Sequence, residues 1–122
     1  MNDLETLKEA RANLERLKWT KGHLFGDKEG NYLSVTEIEL EPDKVAECCA
    51  LGALALVLIC EDYIKMSKTW ESEEWPGEEY LINVLERKGF HSVTDFNDAH
   101  STKKLDVLEV YDEAIELAAE NL

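Results

Sequence analysis

ALGALALVLIC, residues Ala50–Cys60, is the longest apolar run in the chain, broken only by Gly52. It is too short for a bilayer core, which needs about 20 apolar residues, so it reads as a helix buried inside a globular fold. The hydrophobic segment around it extends from Asp43 to about Lys65. Pro42 stands where a helix can begin, and Asp43 suits its first turn. One central helix near 43–65 is therefore expected, with the other elements packed around it. Gly in a helix interior costs about 1 kcal/mol relative to Ala. Gly52, with Cys48, Cys49, Ala53 and Ala55, makes a small-residue surface that a neighbouring backbone can approach, so a packing role is expected for it.

Upstream, Leu4, Leu7, Leu14 and Leu17 mark an amphipathic first helix over about Asp3–Lys18, stopped by Gly22. The stretch HLFGDKEGNYLSV follows. Its Gly26 and Gly30 bracket an acidic turn, which predicts a short hairpin pairing Lys21–Phe25 with Asn31–Val35. Downstream, PGEEYLINVLERKG places Pro76 at the opening and Gly89 at the end of another helix. Ser92 and Asp95 open a helical turn near Val93–Asn97. Ser101 or Thr102 then caps a last helix over about Lys103–Glu120. The expected fold is mainly α with a small β-hairpin (α+β), a compact bundle of about four helices in a single domain spanning 1–122.

Charge is the second organising feature. Asp and Glu total 27 against 13 Lys and Arg, a net charge of −14. Residues 37–47 contribute −4, residues 61–80 contribute −5 and residues 106–120 contribute −6, while the first 21 residues carry +1. Concentrated like charge destabilises a compact domain; it serves solubility or suits a basic partner, whereas nucleic-acid phosphates are repelled. On the last helix Glu109, Glu113, Glu116 and Glu120 follow helical spacing along one face. The polar loop Ser67–Pro76 sets Trp70 and Trp75 among Glu71, Glu73 and Glu74. One or both Trp fold back as lids on the core, or one anchors an interface, where surrounding acids steer a cationic partner. These eight residues (Trp70, Glu71, Glu73, Glu74, Trp75, Glu109, Glu113 and Glu116) form the expected partner-binding surface.

Other chemistries have weaker claims. Cys48 or Cys49 with His91 or His100 and Asn97 or Asp98 contains the residue types of a thiol hydrolase. The thiols, however, lie among Ala and Leu, about a turn and a half inside the expected helix, and Cys48, Cys49 and Cys60 read as reduced core residues. No C-x-x-C or H-x(3–5)-H spacing exists, so neither a metal nor a cofactor is expected. The loop Asn97–Thr102 has two readings, the second of which sets it against the Trp19–Gly22 turn. Its polar residues cap the final helix, or Trp19, Asn97, Asp98 and His100 line a pocket for a nucleotide-type ligand.

The motifs Trp19-x-Lys21-Gly22, Ala46-x-Cys48-Cys49-Ala50-Leu51-Gly52-Ala53, Asn97–Asp98, Thr102, Val107–Leu108 and Ala114–Ile115 recur in order. In them the chain, from Leu4 to about Ala118, resembles a family of short phage and actinobacterial proteins known only as a domain of unknown function. That resemblance implies a small cytosolic accessory protein, often phage-encoded. The N-terminus MNDLETLKEA lacks the basic and apolar regions of a secretory signal, in keeping with a cytoplasmic location.

The expectation is a non-enzymatic acidic protein that binds a basic, nucleic-acid-binding host protein, as a nucleic-acid mimic or anti-defence inhibitor. Its rival is a protein that binds or sequesters a small nucleotide-type ligand. No membrane association and no direct binding of nucleic acid are expected. The leucine-lined first helix is compatible with self-pairing or with burial in the core.

Overall fold

A computed structural model describes residues 2–60 and 75–121. Six α-helices and a three-stranded sheet make up the described part. Helix α1 (Asp3–Arg16) starts at a capping box, Asn2 accepting from the Glu5 amide at 2.8 Å. Strand β1 (Lys18–Trp19) follows, then β2 (Phe25–Gly26), α2 (Val35–Leu40), a 3-10 turn at Pro42–Lys44, and β3 (Glu47–Cys48). Helices α3 (Ala50–Cys60), α4 (Glu78–Arg87), α5 (Val93–Asp98) and α6 (Lys104–Glu120) complete the order.

The apolar run forms the centre, as its composition requires. From Gly52 to Ile59 every residue of α3 is buried. Helix α1 packs on α3 and α6, α6 also packs on α4, and α5 bridges α3 and α4. The leucine stripe of α1 is spent in this core, with Leu7, Ala10 and Leu14 fully buried. Gly52 does what its position suggested: a Cβ there would lie 2.2 Å from the Leu24 carbonyl oxygen, so the 23–25 backbone crosses α3 at a place only glycine leaves open.

The central helix is shorter than expected. It does not begin near residue 43. The 3-10 turn stops at Lys44 and the chain then runs extended through Glu47 and Cys48. The cause is long-range pairing. Strand β3 lies between β1 and β2, parallel to the first (Trp19 opposite Cys48) and antiparallel to the second (Phe25 opposite Cys48). Ala46 accepts from the Lys18 amide and donates to Gly26, and Cys48 accepts from the Thr20 amide. Two flanking strands thus satisfy backbone groups that a helix would otherwise pair locally.

The expected hairpin is likewise reduced. Gly26 bridges Tyr32 and the Leu33 amide reaches Phe25 at 3.3 Å, but β2 gives its main ladder to β3. After Tyr32 the chain turns helical instead of extended, because Ser34 and Glu37 form a capping box that launches α2 over buried Ile38. Ser-x-x-Glu before an apolar residue is the signal that marks this helix. Helix α4 starts at Glu78 rather than Pro76, with Trp75, Pro76 and Gly77 forming a turn closed by the Trp75 amide on the Glu78 carboxylate, 3.0 Å. Helix α6 is capped by neither Ser101 nor Thr102. Lys103 occupies the cap, its amide held by Asp106 at 2.8 Å.

Candidate functional site

The 97–102 loop and the Trp19–Gly22 turn do come together, around one residue. Asn97, 1 % exposed, sits on α5 with its amide side chain between three segments. Its Oδ1 accepts from the Trp19 indole N–H at 2.7 Å and from the Ala50 amide at 2.8 Å. Its Nδ2 donates to the Thr20 carbonyl and to the Asp98 carboxylate, both at 3.1 Å. Both acceptor positions and both donors are therefore occupied by the chain itself. Asp98 also receives the Gly22 amide at 3.1 Å. His100 is exposed. Trp19 is stacked under Lys21, whose Nζ lies 5.3 Å from the ring centroid. Of the four expected pocket residues, three thus serve as a clasp between the sheet, α3 and α5.

The clasp extends to helix ends. Asn97 supplies an acceptor to the first amide of α3, while the Cys49 thiol accepts from the Gly52 amide at 3.2 Å. Lys21 Nζ donates to the carbonyl of Ala99, the C-cap of α5, at 2.6 Å. Lys104 Nζ donates to the carbonyl of Leu17, the C-cap of α1, at 3.0 Å. Cations at helix C-termini complement the terminal carbonyls and the helix dipole. Tyr111 adds a buried bond from its hydroxyl to the Ala50 carbonyl, 2.8 Å.

The thiols are placed differently from the sequence expectation. Cys48 lies in β3, not inside a helix, and Cys49 precedes the first turn of α3. Burial pushes the Cys48 thiol up to about 12, with the neighbouring Cys49 adding to the shift. Burial also raises Cys49, against opposing bonds from the Gly52 and Leu51 amides. A nucleophilic thiol needs the opposite shift. Native protein at about pH 8 is therefore expected to alkylate at exposed Cys60 while Cys48 and Cys49 react only after denaturation, as mass spectrometry of the modified peptides will show.

The carboxylates divide by location. Glu109, Glu113, Glu116 and Glu120 are exposed along the outward face of α6. Glu113 pairs with Lys88 at 3.2 Å, across a groove of about 320 Å³ between α4 and α6 whose wall also carries Arg87. Asp112 is held by Arg11, which bridges α1 to α6 and also pairs with Glu15. Glu109, Glu116 and Glu120 make no ion pair among the described residues. Trp75, a candidate anchor or core lid, is placed as the second: it is 6 % exposed and belongs to the core. An indole at the start of a helix that packs on the core gains more from burial there than from water. Trp70, Glu71, Glu73 and Glu74 lie outside the described residues.

One pair escaped the sequence reading. Glu47, 7 % exposed on the central strand, meets His23 Nε2 at 2.8 Å and folds its carboxylate over Gly26, where a Cβ would lie 2.4 Å from Oε1. The expected helix had made Glu47 one more surface acid, and nothing in its local pattern distinguishes it. Among the described residues no three His, Cys, Asp or Glu side chains converge to hold a metal ion, and no helix is long and apolar enough to cross a membrane.

The model of a family of unknown function (DUF6197) matches residues 1–117. No curated protein and no solved structure matches the chain.

Proposed function

The chain belongs to the family of unknown function DUF6197, and from its acidic surface we propose that it is a non-enzymatic acidic accessory protein. It acts on a basic, nucleic-acid-binding protein, occupying the partner's cationic surface as a mimic of nucleic acid and so inhibiting it. Such a role suits a phage-encoded protein working in the host cytoplasm against a defence protein.

The observation that carries this reading is the outward face of α6. Its acids repel one another at a few tenths of a kcal/mol per pair; Glu109, Glu116 and Glu120 make no ion pair among the described residues, and Glu116 and Glu120 share the α4/α6 groove with Arg87 and Lys88. Lysines that could have neutralised acids are committed elsewhere, Lys21 and Lys104 on helix-end carbonyls. The six acids of α6 support an outward negative field, offset in part by Lys88, which pairs with Glu113, and by Arg87 on the groove wall. Exposed ion pairs of this kind contribute at most about 1 kcal/mol and do not cancel a face.

A basic nucleic-acid-binding protein mixed with this chain is expected to bind it with an affinity that falls steeply as salt rises, and to release it when DNA is added. Reversing Glu109 and Glu116 to Lys should slow association by about tenfold at low salt while leaving the fold intact. Binding that ignores ionic strength, or tight binding of DNA by the chain itself, overturns the reading.

A further inference from the structure

The segment from Asp27 to Lys44 builds a second surface, distinct from α6. The Asp27–Gly30 turn, α2 and the 3-10 turn enclose a groove of about 380 Å³. Five carboxylates (Asp27, Glu29, Glu37, Glu41 and Asp43) and two lysines line it, above the buried side chain of Leu33. The groove thus keeps a net negative charge. Asp27 contributes firmly to it, because the Asn31 amide, with that of Glu29, bonds its carboxylate and holds it below the ordinary value of 3.8.

Acidity alone would say little, but this surface is also apolar where the chain has no internal use for it. Tyr32 is 62 % exposed and Leu40 is 78 % exposed, and each adjoins a groove residue in sequence, Leu33 and Glu41. In α2 Ile38 points into the core. Leu40, two residues on, is rotated about 200° from it and faces water.

We propose that the 27–44 surface is where the basic partner docks, through a Lys/Arg-rich amphipathic segment whose cations meet the groove carboxylates and whose aliphatic side chains cover Leu40 and Tyr32. This rests on the reading of a basic protein partner and assigns it a contact, with the α6 face acting as the longer-range attractor. Charge complementarity excludes nucleic acid as the occupant.

The test uses the full chain, isotope-labelled, with two synthetic peptides of equal charge, one of Lys and Leu and one of Lys and Ser. The Lys/Leu peptide is expected to shift amide resonances of residues 27–44 and to bind more tightly. Leu40→Ser should weaken the Lys/Leu peptide by about tenfold and leave the Lys/Ser peptide unchanged. Glu29→Lys with Asp43→Lys should weaken both. Shifts confined to α6, or a Leu40→Ser variant that binds the Lys/Leu peptide as before, overturn this docking site while a basic partner stands. Failure of both peptides to bind at low salt overturns the site and the basic-partner reading together.

Discussion

Asn97→Ala is expected to lower unfolding free energy by about 3 kcal/mol or more, a drop of roughly 10 °C in the melting midpoint. The substitution removes partners from the Ala50 amide and the Thr20 carbonyl in one step, and frees the Trp19 indole. A buried polar group left unpaired costs about 1–3 kcal/mol, so two such backbone groups account for the loss before any cavity is counted. Asn97→Asp is the sharper comparison. It keeps shape and Oδ1 but turns the second donor into an oxygen facing the Thr20 carbonyl and the Asp98 carboxylate. A buried carboxylate between two acceptors is destabilised, and this variant should recover stability as pH falls and the new group takes a proton. Thermal denaturation of both variants across pH checks this. A variant as stable as the parent would show that the Asn97 bonds hold nothing together.

Gly52→Ala is the second large effect, and here local and tertiary physics predict opposite signs. Helix propensity alone favours Ala by about 1 kcal/mol. The new Cβ, however, would stand 2.2 Å from the Leu24 carbonyl oxygen, a backbone atom that cannot rotate away. The Cys49 amide donates to that same carbonyl at 3.1 Å, so displacing it also breaks the pairing beside β3. Overpacking of this kind costs about 1–3 kcal/mol and more where backbone must move. The net expectation is a loss of about 2–3 kcal/mol by chemical denaturation. A stabilised variant would mean that the 23–25 segment does not cross α3 at Gly52.

The helices were legible where their signals are local. The leucine stripe gave α1, the capping pair at Ser92 gave α5, and the apolar run Ala50–Cys60 marked the centre of the core. The strands were not legible, because what makes Glu47–Cys48 extended is a pair of partners roughly 20 to 30 residues away. Each strand is two residues long, below the length at which alternation can be read. Pro42, Asp43 and the apolar run that follows favour a helix locally, and the β1 and β2 ladders overrule it. Helix α2 was hidden for another reason: Ser34 had already been claimed by the hairpin, so its match to Glu37 went unused. The 97–102 loop and the Trp19 turn were linked only in the ligand-pocket reading. That Asn97 would be saturated by chain atoms depends on the Ala50 amide, which the longer expected helix had placed out of reach. Trp75 shows the limit of composition, since acidic neighbours in sequence do not keep an indole in water.

The clasp also constrains the order in which the molecule can assemble. The Trp19–Asn97 and Lys21–Ala99 bonds span 78 residues, Lys104–Leu17 spans 87, and Arg11–Asp112 spans 101. The amino-terminal third can pack on α3 and β3 earlier, but these fastenings form only when the last third arrives. While the chain is being synthesised, the Ala50–Cys60 hydrocarbon must wait with its leading end unsealed until Asn97 has left the ribosome. Contacts this distant in sequence slow the search for the native state and make it cooperative, so chains cut short before Asn97 should be substrates for proteases rather than smaller working domains.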